Sequence, residues 1–254
     1  MLTKIFQSTT VKVLLPLILV LLFIYILFFE FILQANPVLP KPTILIDSIP
    51  ALFKEYDFLS SFLFSFTAIY SVMIISYFSI RLGANWMFKM LQYFPGMKEL
   101  FSVNKFFIPV FFIFLFELWF GNSIWGEYLF VLFLTMGILK ASIANELDKV
   151  NEEYLLAARS VGLPENEIGN KVIWKSIQPK VYDSLLKFHI PIWSYIIIYE
   201  FICKTEGVGN IFYMSLRYND LSLTIVLFIF LILTFLIMEN ILKNIKKKYF
   251  FWEA

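Results

Sequence analysis

The sequence predicts an all-α membrane protein with six transmembrane helices, both termini in the cytoplasm, and a long cytoplasmic loop of short helices. Three observations lead there. Of 254 residues, 60% are hydrophobic and 16% charged, whereas an ordinary soluble domain has about 25% charged residues. The apolar residues gather into six runs: Val13–Leu33, Phe58–Ile80, Phe106–Phe120, Tyr128–Ala144, Leu185–Cys203 and Leu221–Met238. Lys and Arg also divide unequally between the two sides that six crossings create.

A helix needs about 20 apolar residues to cross the hydrocarbon core of a bilayer. The third and fourth runs are short, so their flanks, such as Trp119 and Trp125, are expected at the interface, where aromatic rings settle. The first run is expected to remain as a span. Its apolar stretch is too long for a signal-peptide core, and no small-residue cleavage site follows it.

With six spans the termini share one side, and that side holds 17 of the 21 Lys and Arg residues. They run from Lys4 and Lys12 through Lys105 to Lys246-Lys247-Lys248. The other side holds Lys41, Lys54, Lys204 and Arg217. Cationic loops stay in the cytoplasm, which places Arg81–Lys105, Lys140–Lys187 and the tail after Asn240 there. Gln34–Asp57, Gly121–Glu127 and Lys204–Asp220 are then external. The tail's lysines, with Tyr249, Phe250, Phe251 and Trp252, suit an anchor in the inner headgroup layer. The whole chain, 1–254, is expected as one transmembrane domain, with its long cytoplasmic loop at about 145–183.

That loop reads as two short helices. Asn151 suits the N-cap of the first, with Glu152 and Glu153 near the positive end of the helix dipole. Leu155, Leu156 and Val161 supply apolar positions, and Gly162 suits the left-handed residue that ends a helix. Pro164 fits the first turn of the next, followed by Glu165 and Glu167. Ile168, Val172 and Ile173 continue an apolar stripe. Ala157 and Ala158 are small enough to let another surface approach closely, which suits a docking element for a cytoplasmic partner. The alternative is an ordinary helical hairpin packed on the protein's own base.

No chemistry of catalysis is visible. The chain lacks a G-x4-G-K-[ST] loop, so it cannot cradle ATP in that manner. Cys203 and His189 are the sole cysteine and histidine, which excludes a cysteine or histidine metal cluster and an internal disulfide. The expectation is a non-enzyme without a metal. His189 is expected to bond a carbonyl or the pathway wall rather than relay protons.

Four carboxylates lie in or near the spans. A charge at membrane depth costs at least about 2.5 kcal/mol, so such groups face protein or water. Glu30 and Glu239 sit near span ends and are expected to reach an interface. Glu117 is close enough to an end to do the same. Glu200 precedes the Lys204–Gly209 stretch and is the candidate for an external gate. Its alternative role is a plain bond to backbone or to Tyr199.

The loop resembles the E-A-A-x3-G-x9-I-x-L-P signature of permease subunits of bacterial ABC importers. Ala157, Ala158 and Gly162 match, and Val172 takes the place of the isoleucine. Leu156 stands where the family has glutamate, and Trp174-Lys175 stand where it has Leu-Pro, with Pro179 further on. Other stretches are similar to the subfamily for nitrate, sulfonates, taurine and related solutes. They are Leu39-Pro40-Lys41-Pro42, Ser48-Ile49-Pro50-Ala51-Leu52, Pro109 with Leu118-Trp119-Phe120-Gly121, and Glu200 with Gly207-Val208-Gly209. The likeness covers residues 13–252.

The resemblance implies a subunit of a bacterial inner-membrane importer with two permeases and two ATPases, fed by an external binding protein. ATP would be hydrolysed by the partner subunit, and a second copy of this chain would complete the pathway. The ATPase-coupling residues would be Leu156, Ala157, Ala158, Gly162 and Val172. The gate residues would be Glu200, Gly207 and Gly209. Two other classes compete with this reading: a gradient-driven carrier, which predicts inverted repeats and broken spans, and a membrane scaffold that recruits a cytoplasmic partner.

Overall fold

The computed structural model describes residues 9–32, 40–94, 96–102, 109–121 and 123–253. Lys4, Leu39, Lys105 and the start of the third run at Phe106 lie outside them. Within lipid every backbone N–H and C=O must be satisfied inside the segment, which favours helices wherever apolar runs are long. Accordingly, all regular elements among the described residues are helical.

The elements follow in order. Helix α1 spans Thr9–Ile26 and continues as a π-helical turn, Leu27–Ile32. Then come α2, Pro42–Lys54; α3, Phe58–Tyr93; and α4, Gly96–Ser102. Helix α5 covers Pro109–Phe120, α6 Ile124–Leu147 and α7 Glu152–Ser160. Helix α8 runs Glu165–Cys203, with a π-helical segment at Ile168–Ile173. Helices α9, Val208–Arg217, and α10, Leu221–Tyr249, follow, and a 3-10 turn Phe251–Glu253 closes the described chain.

Helices α3, α6, α8 and α10 are each long and apolar enough to cross a membrane. Of the other two expected spans, the described residues contain shorter apolar helices, Val20–Ile32 and Pro109–Phe120. Two expected boundaries move. The second run does not end at Ile80, because the helix carries on to Tyr93. The second helix of the loop is not a separate element, because it runs without a break into the fifth apolar run as α8.

The chain divides into two compact units, Met1–Phe58 with Met214–Leu231, and Leu59–Tyr213 with Ile232–Ala254. In the first, the Glu30 carboxylate accepts from the backbone N–H of Thr43 at 3.3 Å, at the positive end of α2, a placement the helix dipole favours. The Tyr25 hydroxyl donates to the Pro40 carbonyl. Phe53, Phe58 and Phe230 form an aromatic cluster with centroids 5.3 to 5.8 Å apart, beside the fully buried Leu52. Asp220 caps α10, its Oδ1 accepting from Leu223 N–H at 2.9 Å.

In the second unit, α6 is the central post, with α4, α5 and α8 packed on it. Ile113, Phe116, Phe130, Leu134, Tyr199 and Cys203 form a buried core between α5, α6 and α8. Phe130 stacks on Tyr199 at 5.2 Å. Further down α8, the hydroxyls of Ser142 and Ser184 meet at 2.7 Å. Trp193 Nε1 donates to the Tyr70 hydroxyl at 3.2 Å. Buried polar groups thus pin helices that the apolar contacts alone would let slide.

Candidate functional site

Two places in the second unit bring the expected site residues together: an exposed corner between α7 and α8, and a buried polar cluster where α3, α6 and α8 meet the 204–209 turn.

The corner is built by local chemistry. Asn151 caps α7 by accepting from the Glu153 N–H at 2.9 Å. At the other end Gly162 takes a left-handed φ of +79°. The N–H groups of Gly162 and Leu163 donate back to the carbonyls of Arg159 and Ala158 at 2.9 and 3.1 Å, which closes the helix on its last free carbonyls. A Cβ at Gly162 would meet open space, so glycine is wanted there for backbone freedom and not for room. Arg159 and Glu165 bridge the turn with an ion pair of 2.9 Å. Pro164 stands one position earlier than the sequence suggested, as the extended residue before α8 rather than within its first turn.

The expected coupling residues divide by exposure. Ala158 is buried against the base of the unit. Tyr154, Leu156 and Val161 point apolar side chains outward, Val161 at 80% exposure. Ala157 and Val172 line a groove of about 580 Å³ beside α7. Burial of one face of α7 agrees with a hairpin resting on its own base, but the opposite face is left apolar and open.

The corner is joined to the span helices by side chains the sequence reading did not single out. The extension of α3 past Ile80 brings Asn85 and Lys89 to Asn166, whose Oδ1 accepts from them at 3.2 and 2.6 Å. Gly169 lies so close to Asn85 that a Cβ would overlap its amide. The corner thus touches α3 directly and is continuous with α8. Lys98 of α4 pairs with Asp148 at the end of α6.

The second place is centred on Glu200, which is fully buried. Its Oε1 accepts from the Ser65 hydroxyl at 2.5 Å and its Oε2 from the Gly209 N–H at 2.6 Å. Ser65 Oγ in turn accepts from the Val208 N–H at 3.0 Å. Glu200 thus holds the first turn of α9 against α3, and its bonds run to backbone and Ser65 rather than to Tyr199. Gly209 is a glycine for lack of room, and Gly207 for lack of room and for its φ of +141°. A Cβ on Gly207 would overlap the Glu200 carboxyl, and one on Gly209 would lie 2.6 Å from Glu200 Cβ and 2.8 Å from Phe201 N.

Two further carboxyls complete the cluster. Glu127 was expected in an external loop, but it lies in the first turn of α6, fully buried. It accepts from the Thr205 hydroxyl at 3.4 Å and lies beside Glu200, with its Oε1 buried and unpartnered. Glu117 was expected to turn to an interface. Instead, one of its carboxyl oxygens is buried, and its side chain faces Cys203. The apolar surroundings of Glu127 in sequence gave no sign of its burial, and only its spacing to Trp125 and Tyr128 placed it near a helix start. His189 is buried, with Nδ1 2.8 Å from the Leu186 carbonyl, the carbonyl contact expected of it, and its Nε2 is buried without a partner. Among the described residues no group of three or more His, Cys, Asp or Glu is placed to hold a metal ion.

The tail makes contacts within the unit that the sequence reading did not name, while Tyr249, Phe251 and Trp252 stay exposed. Phe250 is buried, 5.3 Å from Tyr182 of α8. Lys246 pairs with Asp183 at 2.7 Å, and the Tyr182 hydroxyl donates to the Leu242 carbonyl at 3.1 Å. The chain's last turn is a docked element at the same end of this unit as the α7–α8 corner.

Residues 80–250 match the family described as the inner membrane component of binding-protein-dependent transport systems. The match takes in the α7–α8 corner and, of the Glu200 cluster, Glu117, Glu127, Glu200 and the 204–209 turn, while Ser65 lies before it. No curated protein matches the chain.

Proposed function

The chain belongs to the family of inner membrane components of binding-protein-dependent transport systems, and from that premise we propose that it is the permease subunit of an ATP-driven importer. The single observation that carries this reading is the geometry of the α7–α8 corner. It is an exposed helix with an apolar outer face, held at a fixed angle by Gly162, and bound mechanically to two span helices.

In the proposed mechanism, an ATPase subunit docks on α7 through Leu156, Ala157 and the open corner. Its closure on ATP pushes the corner, and α8 and the Asn85–Asn166 contact carry the push into the spans. At the far end of α8, Glu200 holds the 204–209 turn closed or lets it go, as an outer gate. Alternating exposure of the pathway follows. The chain itself is not an enzyme, needs no cofactor, and relies on a partner for ATP hydrolysis.

A second copy completes the pathway, since one bundle of this size supplies half of its wall. Helices α1 and α5 bring the spans to six, with both termini cytoplasmic, in keeping with the 17-to-4 division of Lys and Arg. The solute is a small one of the nitrate, sulfonate or taurine kind, delivered by an external binding protein.

The test is purification from the native cell in mild detergent, with mass spectrometry of the proteins that accompany the chain. Recovery of a P-loop ATPase that is lost on Ala157→Arg supports the reading. An Ala157→Arg variant that transports and retains the ATPase overturns it.

A further inference from the structure

The groove beside α7 has a wall that the loop does not supply. Tyr154 and Ala157 come from α7, and Lys171, Val172 and Lys175 from the start of α8. Trp252 comes from the C-terminal turn, nearly eighty residues on. That turn is held in place: Phe250 is buried on Tyr182 and lies 5.5 Å edge-on from Trp252. Lys175 Nζ stands 5.6 Å over the Trp252 ring. Trp252 remains 42% exposed and Phe251 73% exposed, so the aromatic wall is fixed yet open.

We propose that the C-terminal turn forms part of the ATPase-docking surface. The groove takes from the ATPase a segment bearing one apolar side chain and one carboxylate. The apolar group lies on Ala157, Val172 and Trp252, and the carboxylate pairs with Lys175, since Lys171 already bridges to Glu167 at 2.7 Å. This rests on the permease reading above and adds to it a second contact, outside the loop.

Charge and position point to a protein partner rather than lipid. Lys175 is free to pair with an incoming carboxylate while its stem stays on Trp252. Helix α8 has 39 residues, about 58 Å at 1.5 Å per residue, and the hydrocarbon core takes about 30 Å of that. Counted from Cys203, the core ends near Asp183, where the Lys246 ion pair sits. Lys175 and Lys171 then lie about 12 to 18 Å farther along, beyond a headgroup layer of about 5 to 7 Å. An anionic headgroup would have to leave the bilayer surface to reach the groove.

The experiment is photocrosslinking in the native cell. A benzophenone amino acid replaces Trp252 in one strain and Leu156 in another, and the crosslinked species are identified by mass spectrometry. The expected result is that both positions capture the same polypeptide, one containing a G-x4-G-K-[ST] loop. A Lys175→Glu exchange is expected to lower the ATPase co-purified with the full chain about ten-fold. If Leu156 captures the ATPase while Trp252 captures lipid or this chain alone, the inference is overturned and the permease reading stands. If neither position captures an ATPase from correctly inserted protein, the permease reading falls, and the inference with it.

Discussion

The α7–α8 corner and the Glu200 cluster use the same residue types to opposite ends. Both turn on glycine, both involve carboxylates, and both sit at an end of α8. At the corner, Gly162 has open space around it and is required by its φ of +79°. At the cluster, Gly209 is hemmed in by Glu200 and the α8 backbone. Glu165 is exposed and paired with Arg159 in water, where such a pair contributes little. Glu200 is buried and accepts from Ser65 and from Gly209 N–H, where an unmade bond is costly. One end of the helix is exposed to solvent and the other is buried and hydrogen-bonded.

The largest break in this comparison should come from Gly209→Val. The added side chain meets the Ile197 carbonyl and Phe201 N, which are backbone atoms and cannot swing away. A loss of about 3 kcal/mol or more is expected, read as a fall of roughly 10 °C in the melting temperature of the detergent-purified protein. Wild-type stability in this variant would mean that the 204–209 turn is not packed as described.

Glu200→Leu should follow, at about 2 kcal/mol, because it leaves the Gly209 N–H buried without an acceptor, while the Ser65 hydroxyl keeps the Ser61 carbonyl at 3.2 Å. Glu200→Gln keeps one acceptor oxygen and should cost about 1 kcal/mol. Equal effects from the two would show that volume, not hydrogen bonding, holds the latch.

At the corner the order of effects reverses. Gly162→Val strains a left-handed residue at about 1 to 2 kcal/mol, and should uncouple transport from ATP hydrolysis more than it lowers the melting temperature. Ala157→Arg adds a charged side chain at an exposed position, so stability should stay within about 0.5 kcal/mol while transport is lost. Arg159→Ala removes an exposed ion pair and should change stability by less than about 0.5 kcal/mol. A melting-temperature drop for Ala157→Arg as large as that for Glu200→Leu would erase the distinction between the two ends.

Much of the corner was legible beforehand, because its determinants are local. Asn151 bonds a residue two positions on, and Gly162 ends α7 through bonds that reach no more than five residues back. Capping and left-handed closure are settled within a turn or two of backbone, so residue order is enough to see them. The long apolar runs likewise fix helices wherever water is excluded, and the elements α3, α6, α8 and α10 follow from them.

What only the tertiary structure decided is the choice of partner across the interior. Ser65 and Glu200 are 135 positions apart, Asn85 and Asn166 81, and Lys246 and Asp183 63. Nothing in the sequence foretold that Glu127 would turn inward beside Glu200, or that Phe250 and Lys246 of the tail would meet Tyr182 and Asp183 of α8. The physical reason lies in the solvent. In water an amphipathic stripe marks the face a helix buries. In lipid the outer face is as apolar as the inner, so the pattern that would set each helix's rotation is erased. The rotation is set instead by a few polar side chains finding one another, and those meetings exist only once the helices are packed.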